Sequence, residues 1–138
     1  MWPNVALQFL LNYLLADTDL AWTYHLYKNN LTPVAGTVLA DFTESNFTGY
    51  AAKIAVTEAA VTVNASNEAQ DLGDEMTWTC TADGAAQQAF GIYVTFHDID
   101  DATPRLGPAW RFAAPTTIAF NGDFVKKKTD FYAKNYAP

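Results

Sequence analysis

Nucleophilic, acid–base and metal chemistry each need particular side chains, and this chain of 138 residues offers few of them. Its serines are Ser45 and Ser66, its histidines His25 and His97, and its cysteine Cys80. A hydroxyl attacks when a base takes its proton and a third group orients that base. Neither serine sits in a Gly-x-Ser-x-Gly elbow; Glu44-Ser45-Asn46 and Ala65-Ser66-Asn67 are polar, loop-like contexts. A lone cysteine forms no intrachain disulfide and builds no cysteine-based zinc site. In Met76-Thr77-Trp78-Thr79-Cys80 it keeps step with Met76 and Trp78 and reads as a small core residue. His97 with Asp98, Asp100 and Asp101 has the donors of a cation site, but the sixth-place glycine and distal glutamate of a calcium loop are missing. No glycine-rich turn cradles a phosphate. The residue types therefore predict a protein that is not an enzyme, with no catalytic residues, no cofactor and no metal ligands.

Two further chemistries depend on convergence rather than motif. Glycoside hydrolysis needs a pair of carboxylates, and nothing in the order of the fifteen acidic residues singles one out. Sugar binding needs open aromatic rings, for which Trp2, Tyr93, Trp110 and Tyr132 are the candidates. Such rings more often fill cores and protein contacts, so a carbohydrate-binding β-sandwich module stands as the alternative of another class.

The formal charge is −7, which argues against binding nucleic acid, because phosphate attraction needs lysine and arginine. Residues 1–122 hold 4 basic and 13 acidic side chains, whereas residues 123–138 hold 4 lysines against Asp123 and Asp130. An acidic body with a basic tail can dock on the acidic surface of a neighbour. Lys126, Lys127 and Lys128, with Phe131, Tyr132 and Tyr136 in a tail over 129–138 that reads as an arm, a final strand or a short helix, are thus candidate partner contacts. The plainer alternative is that the lysines guard a strand edge against aggregation.

These residues need a frame. The length suits one domain with one core: a helix over 3–16, a β-rich body over 20–128 and the arm. Pro3 suits a first helical turn, and Asn4, Gln8 and Asn12 form a narrow polar stripe on an otherwise apolar cylinder. A helix so apolar needs cover on more than one side, and a domain this small can hardly enclose it. Trp2, Val5, Phe9 and Tyr13 are therefore expected at a subunit interface. The run is too short to span a bilayer and lacks a positive n-region, so neither membrane span nor signal peptide is expected.

Beyond Asp17-Thr18-Asp19 the signals have period two. Strands are predicted over 20–27, 50–57, 75–81, 90–97, 110–112, 116–120 and 124–128, with 59–63 extended, polar loop over 64–73 and an acidic loop over 98–107. Asn121-Gly122 predicts a hairpin turn. The fold class is mainly β: an antiparallel sandwich or barrel-like domain of about seven or eight strands with an N-terminal α-helix.

One stretch has the order of a signature: Leu26-Tyr27-Lys28-Asn29-Asn30-Leu31-Thr32-Pro33, then Leu39-Ala40-Asp41-Phe42-Thr43-Glu44 and Phe47-Thr48-Gly49-Tyr50-Ala51. With Gly91-Ile92-Tyr93-Val94, Trp110-Arg111-Phe112-Ala113-Ala114-Pro115 and Asn121-Gly122-Asp123, it resembles small structural proteins of tailed bacteriophages. The resemblance spans residues 4–128 as scattered positions and is dense between 26 and 51. It implies a virion component made in the bacterial host cytoplasm, most simply a capsid decoration (cement) protein contacting the major capsid protein, and a homo-oligomer, with a trimer expected. A small tail, neck or fibre-associated subunit is the alternative it leaves. The acidic loop and the tail after Lys128 depart from the family pattern.

Overall fold

The computed structural model describes the backbone of residues 20–54, 62–63, 69–98 and 101–133, with side chains at all but 20, 21, 54, 62–63, 69–74, 98, 102 and 129–133. The expected helix over 3–16, with Trp2, Val5, Phe9 and Tyr13, lies outside the described residues, as does Tyr136.

The fold is mainly β and antiparallel. One sheet has the order β2-β1-β5-β6 and the other β3-β4-β7. Their strands are β1 (Leu20–Tyr27), β2 (Lys53–Ile54), β3 (Thr62–Val63), β4 (Ala69–Thr79), β5 (Gln87–Asp98), β6 (Asp101–Ile118) and β7 (Phe124–Ala133). Five are long; β2 and β3 are two-residue pairings.

Alternation explains the centre. In β1 and β5, Tyr24, Leu26, Ile92 and Val94 point to one face and are buried. They share a cluster with Ala89, Ile118, Trp78, Cys80 and Val125, so both sheets feed one core. Cys80 is a buried core residue, as its spacing predicts.

The long β6 replaces the expected acidic loop and two short strands. Asp98 and Asp101 are paired, and the ladder with β5 continues to Gln87 and Ile118. Pro104, Pro108 and Pro115 lie inside this strand. A proline has no N–H to give a ladder and is tolerated on an edge or at a bulge. β6 is the outer strand of its sheet, and its three register shifts each leave one of these prolines unpaired: Pro104 between partners 101 and 105, Pro108 between 106 and 109, Pro115 between 111 and 116. The strand continues past all three prolines.

Other expectations meet the structure as follows. The polar stretch 64–73 is strand from Ala69, because Ala69–Leu72 pair with Asp130–Ala133 of β7. Of the three forms open to the tail, the final strand is the one formed as far as Ala133. The shift between Leu72 and Glu75 falls at Gly73-Asp74, a glycine position typical of a bulge. The turn at Asn121-Gly122 is present, with Gly122 at φ 94°, but it carries the chain from β6 of one sheet to β7 of the other and closes no hairpin.

Gly91 of β5 is paired with Arg111 of β6. A Cβ there would strike the Trp110 carbonyl oxygen and lie 2.5 Å from ring atoms of Tyr27. Gly84 faces open space. Gly91→Ala is expected to lower the unfolding free energy by about 1–3 kcal/mol, and Gly84→Ala to change it by less than about 0.5 kcal/mol. Urea midpoints of the two variants check this.

Candidate functional site

A strand's outer edge exposes N–H and C=O groups that must find partners. On the side of β1 away from β5, β2 pairs with Thr23 and Tyr24. Farther along, the connection between β1 and β2 supplies the partners itself. Ser45 N–H donates to the Leu26 carbonyl at 2.9 Å and Lys28 N–H to the Thr43 carbonyl at 2.8 Å. The Leu26 N–H donates to the Tyr50 hydroxyl at 3.1 Å.

Polar residues of the signature hold this connection in place. Asn29 Nδ2 donates to the Asp41 carbonyl, and Asn29 Oδ1 accepts from Thr43 N–H. Lys28 Nζ donates to Asn46 Oδ1 at 2.7 Å. From the far strand, Arg111 reaches the Leu31 carbonyl at 2.7 Å and the Asn30 side chain. The connection therefore lies across the second face of the sheet, where Tyr27 and Tyr93 are buried.

Under it sits a relay that the sequence does not announce. His25 Nδ1 lies 2.7 Å from Glu44 Oε1 and Nε2 lies 2.9 Å from Thr95 Oγ1. An ionised carboxylate only accepts, so Nδ1 donates to Glu44; in the neutral form of the ring Nε2 then accepts from the Thr95 hydroxyl. Tyr50 donates to the same Glu44 oxygen at 2.8 Å. Hydroxyl, imidazole and carboxylate thus stand in the order of a nucleophilic triad. Access is what differs. Thr95 is 7% exposed in mid-strand, and the rings of Phe42, Tyr93 and His25 stack at 4.6 and 4.7 Å beside it. With Thr95 this closely covered, the bonds from Glu44 and Thr95 to His25 fasten the connection to the sheet. Ser45, at 3% exposed, is equally closed off.

Burial also acts on the tyrosines. It pushes the Tyr50 phenol well above its ordinary value, helped by the hydrogen bond to Glu44. Tyr93 is pushed up to about 12, first by burial and then by the Glu44 charge.

Above the relay the connection frames a cleft of about 600 Å³, lined by Pro33, Val34, Val38 and Phe42 on one side and Leu106 and Ala109 of β6 on the other. Val34 and Val38 are exposed on its rim. At another end of the body, Phe120 and Phe124 are exposed on either side of the Asn121-Gly122 turn. Asp123 clamps that turn by accepting from the Ala119 and Phe120 N–H groups, both at 2.8 Å. These two bonds hold its carboxyl below the ordinary carboxylate range. Gly122 N–H donates to the Cys80 carbonyl and Asn121 N–H to Asp83 Oδ1.

Of the residues expected to meet a partner, three have described side chains. Lys126 pairs with Glu75 at 2.7 Å, Lys127 stands over the Phe112 ring at 4.6 Å, and Lys128 is exposed. The run is an edge strand whose alternate residues serve different faces. Phe131 and Tyr132 pair through their backbones with Asp71 and Gln70. Among the sugar-stacking candidates, Tyr93 is buried and Trp110 packs on the core. Asp101, expected in an acidic cation-like cluster, instead accepts from Thr103 N–H and meets Arg105 at 3.2 Å. Glu44, Tyr50 and Thr95 lie 19, 25 and 70 positions from His25 along the chain, beyond the reach of local patterning. Val34, Val38, Phe120 and Phe124 carried a signal, since each is apolar beside turn residues.

No family model, no curated protein and no solved structure matches this chain.

Removing the Tyr50 hydroxyl leaves the Leu26 N–H without its acceptor, so Tyr50→Phe is expected to cost about 1–3 kcal/mol in chemical unfolding. A folded phenol whose pKa lies above its unfolded value stabilises fully below the unfolded value, about 10. That contribution is lost as pH rises through the folded value. Thermal stability is therefore expected to be level from pH 8 to about 10 and to fall as pH climbs towards the Tyr93 value of about 12. Tyr93→Phe should shrink that fall, as a calorimetric pH series would read.

Proposed function

We propose that this protein is a non-enzymatic structural subunit of a tailed-phage virion, a capsid decoration protein that works through repeated protein–protein contacts. The two sheets, meeting across one core, form an open β-sandwich in this reading. The observation that carries it is the placement of exposed apolar side chains. Val34 and Val38 crown a cleft on one part of the body, and Phe120 and Phe124 crown a clamped turn on another. A body with two separate apolar contacts suits a bridging role, because each patch gains by leaving water. Among the described residues, the arrangement that resembles catalytic machinery has its hydroxyl on a buried residue, Thr95, which supports a non-enzymatic role.

The resemblance supplies the setting. Its densest residues, 26–51, are those that build the connection over the sheet and the rim of the cleft. In this reading the major capsid protein is the chief partner, a trimer is the assembly unit, and the N-terminal residues Trp2, Val5, Phe9 and Tyr13 join the contact surface. Placement on the tail or neck is the alternative within the same class.

Counting copies per particle by quantitative mass spectrometry of virions from the encoding phage tests this. Decoration predicts hundreds of copies on heads freed of tails. A handful of copies lost with the tail would move the protein there, and absence from virions would refute the reading.

A further inference from the structure

We propose that the turn carrying Phe120 and Phe124 of one copy inserts into the cleft beneath Val34 and Val38 of the next copy, making a head-to-tail contact between identical chains. The large apolar side chains exposed among the described residues are these four: Val34 at 69%, Val38 at 56%, Phe120 at 66% and Phe124 at 56%. They fall into a concave pair and a convex pair. The cleft, at about 600 Å³, lies in the size range of pockets that enclose a bulky apolar group.

The pairs cannot satisfy each other within one chain. The turn leaves β6 beyond Ile118, which pairs with Gln87, while the cleft lies where Ala109 and Leu106 pair with Tyr93 and Thr95. Six to eight residues of β5 separate those positions, roughly 20–26 Å at strand rise. A second copy brings the surfaces together.

Rigidity and charge fit the same occupant. Asp123, Asp83 and the Cys80 backbone hold the turn by bonds of 2.8–2.9 Å, so little entropy is lost when the rings insert. Among the described residues Asp83 and Asp123 accept from backbone N–H groups alone, and they place two negative charges beside the phenylalanines. Arg111, two positions along β6 from the cleft residue Ala109 and bonded to the neutral oxygens of Asn30 and Leu31, offers a positive charge. Asp41 also borders the cleft, its carboxylate turned onto the Val38 N–H.

A contact between two different surfaces generates a ring or a filament, with a trimer as one closed form. A contact built on two exposed side chains from each copy suits weak association, so a micromolar or weaker affinity is expected in solution, reinforced where a shell sets copies side by side. The inference deepens the assembly reading and rests on it for its setting. Its test uses purified chain without capsids, so the two can fail separately.

The test is complementation, read by sedimentation velocity up to about 1 mM. Phe120→Ser/Phe124→Ser removes the knob and keeps the cleft; Val34→Asp/Val38→Asp does the reverse. Each variant alone is expected to weaken self-association by about 30-fold or more. An equimolar mixture should form one-to-one pairs and nothing larger. Val38→Gln and Phe120→Gln repeat the experiment more mildly, and circular dichroism confirms folding. Wild-type chain that stays monomeric would overturn the proposal, as would variants that associate unchanged or a mixture that fails to pair. A monomer whose melting temperature falls with the cleft variant would assign the cleft to the chain's own residues, which also overturns it.

Discussion

The outer edge of β1 is the constraint around which this molecule is arranged. Beyond Tyr24 no strand among the described residues continues the sheet on that side, yet Leu26 is fully buried and its peptide groups require partners. The connection that follows β1 folds back and provides them through Ser45 and the Tyr50 hydroxyl. A side chain thus does what a neighbouring strand would do. Because Tyr50 also bonds Glu44, and Glu44 bonds His25, the edge closure and the cover over the second sheet face are one network. Networks of this kind are cooperative, and a gap in one member leaves others unsatisfied in low dielectric.

That network shows why chemical residue types can mislead. Thr95, His25 and Glu44 stand in catalytic order, but strand pairing dictates their order and burial closes it. His25 and Tyr93 are direct cross-strand partners, and Thr95 lies two residues farther along the same face. The geometry follows from sheet periodicity once a long connection drops a glutamate onto that face. The signature polar residues then act as staples, which leaves the apolar side chains between them to meet whatever lies outside.

Much of the β framework was legible. The alternation of Trp22, Tyr24 and Leu26 with Thr23, His25 and Tyr27 marks β1 to its last residue, and Phe90 to Phe96 marks the heart of β5. What escaped depended on partners distant in sequence. Pro104, Pro108 and Pro115 read as loop because a proline forbids a ladder bond, and only a strand at a sheet edge can bulge around each one. Asp71 and Leu72 read as loop because their pairing with Phe131 and Asp130 is invisible to local composition. Asn121-Gly122 marks where the chain reverses but is silent about which sheet receives it. Of the site, His25 was visible as a histidine on the second strand face, while its carboxylate and hydroxyl partners emerge only with tertiary pairing.

The central claim is that the connection over 28–52 is bonded to the edge of β1 as an integral layer of the fold. Residue-resolved amide hydrogen exchange tests it most directly. The account predicts that the Leu26, Lys28 and Ser45 amides exchange only through global opening, as slowly as the core of β5, while Ala35 and Gly36 at the tip exchange far faster. Leu26 and Ser45 exchanging as fast as that tip would mean the edge is open, and the account would be wrong.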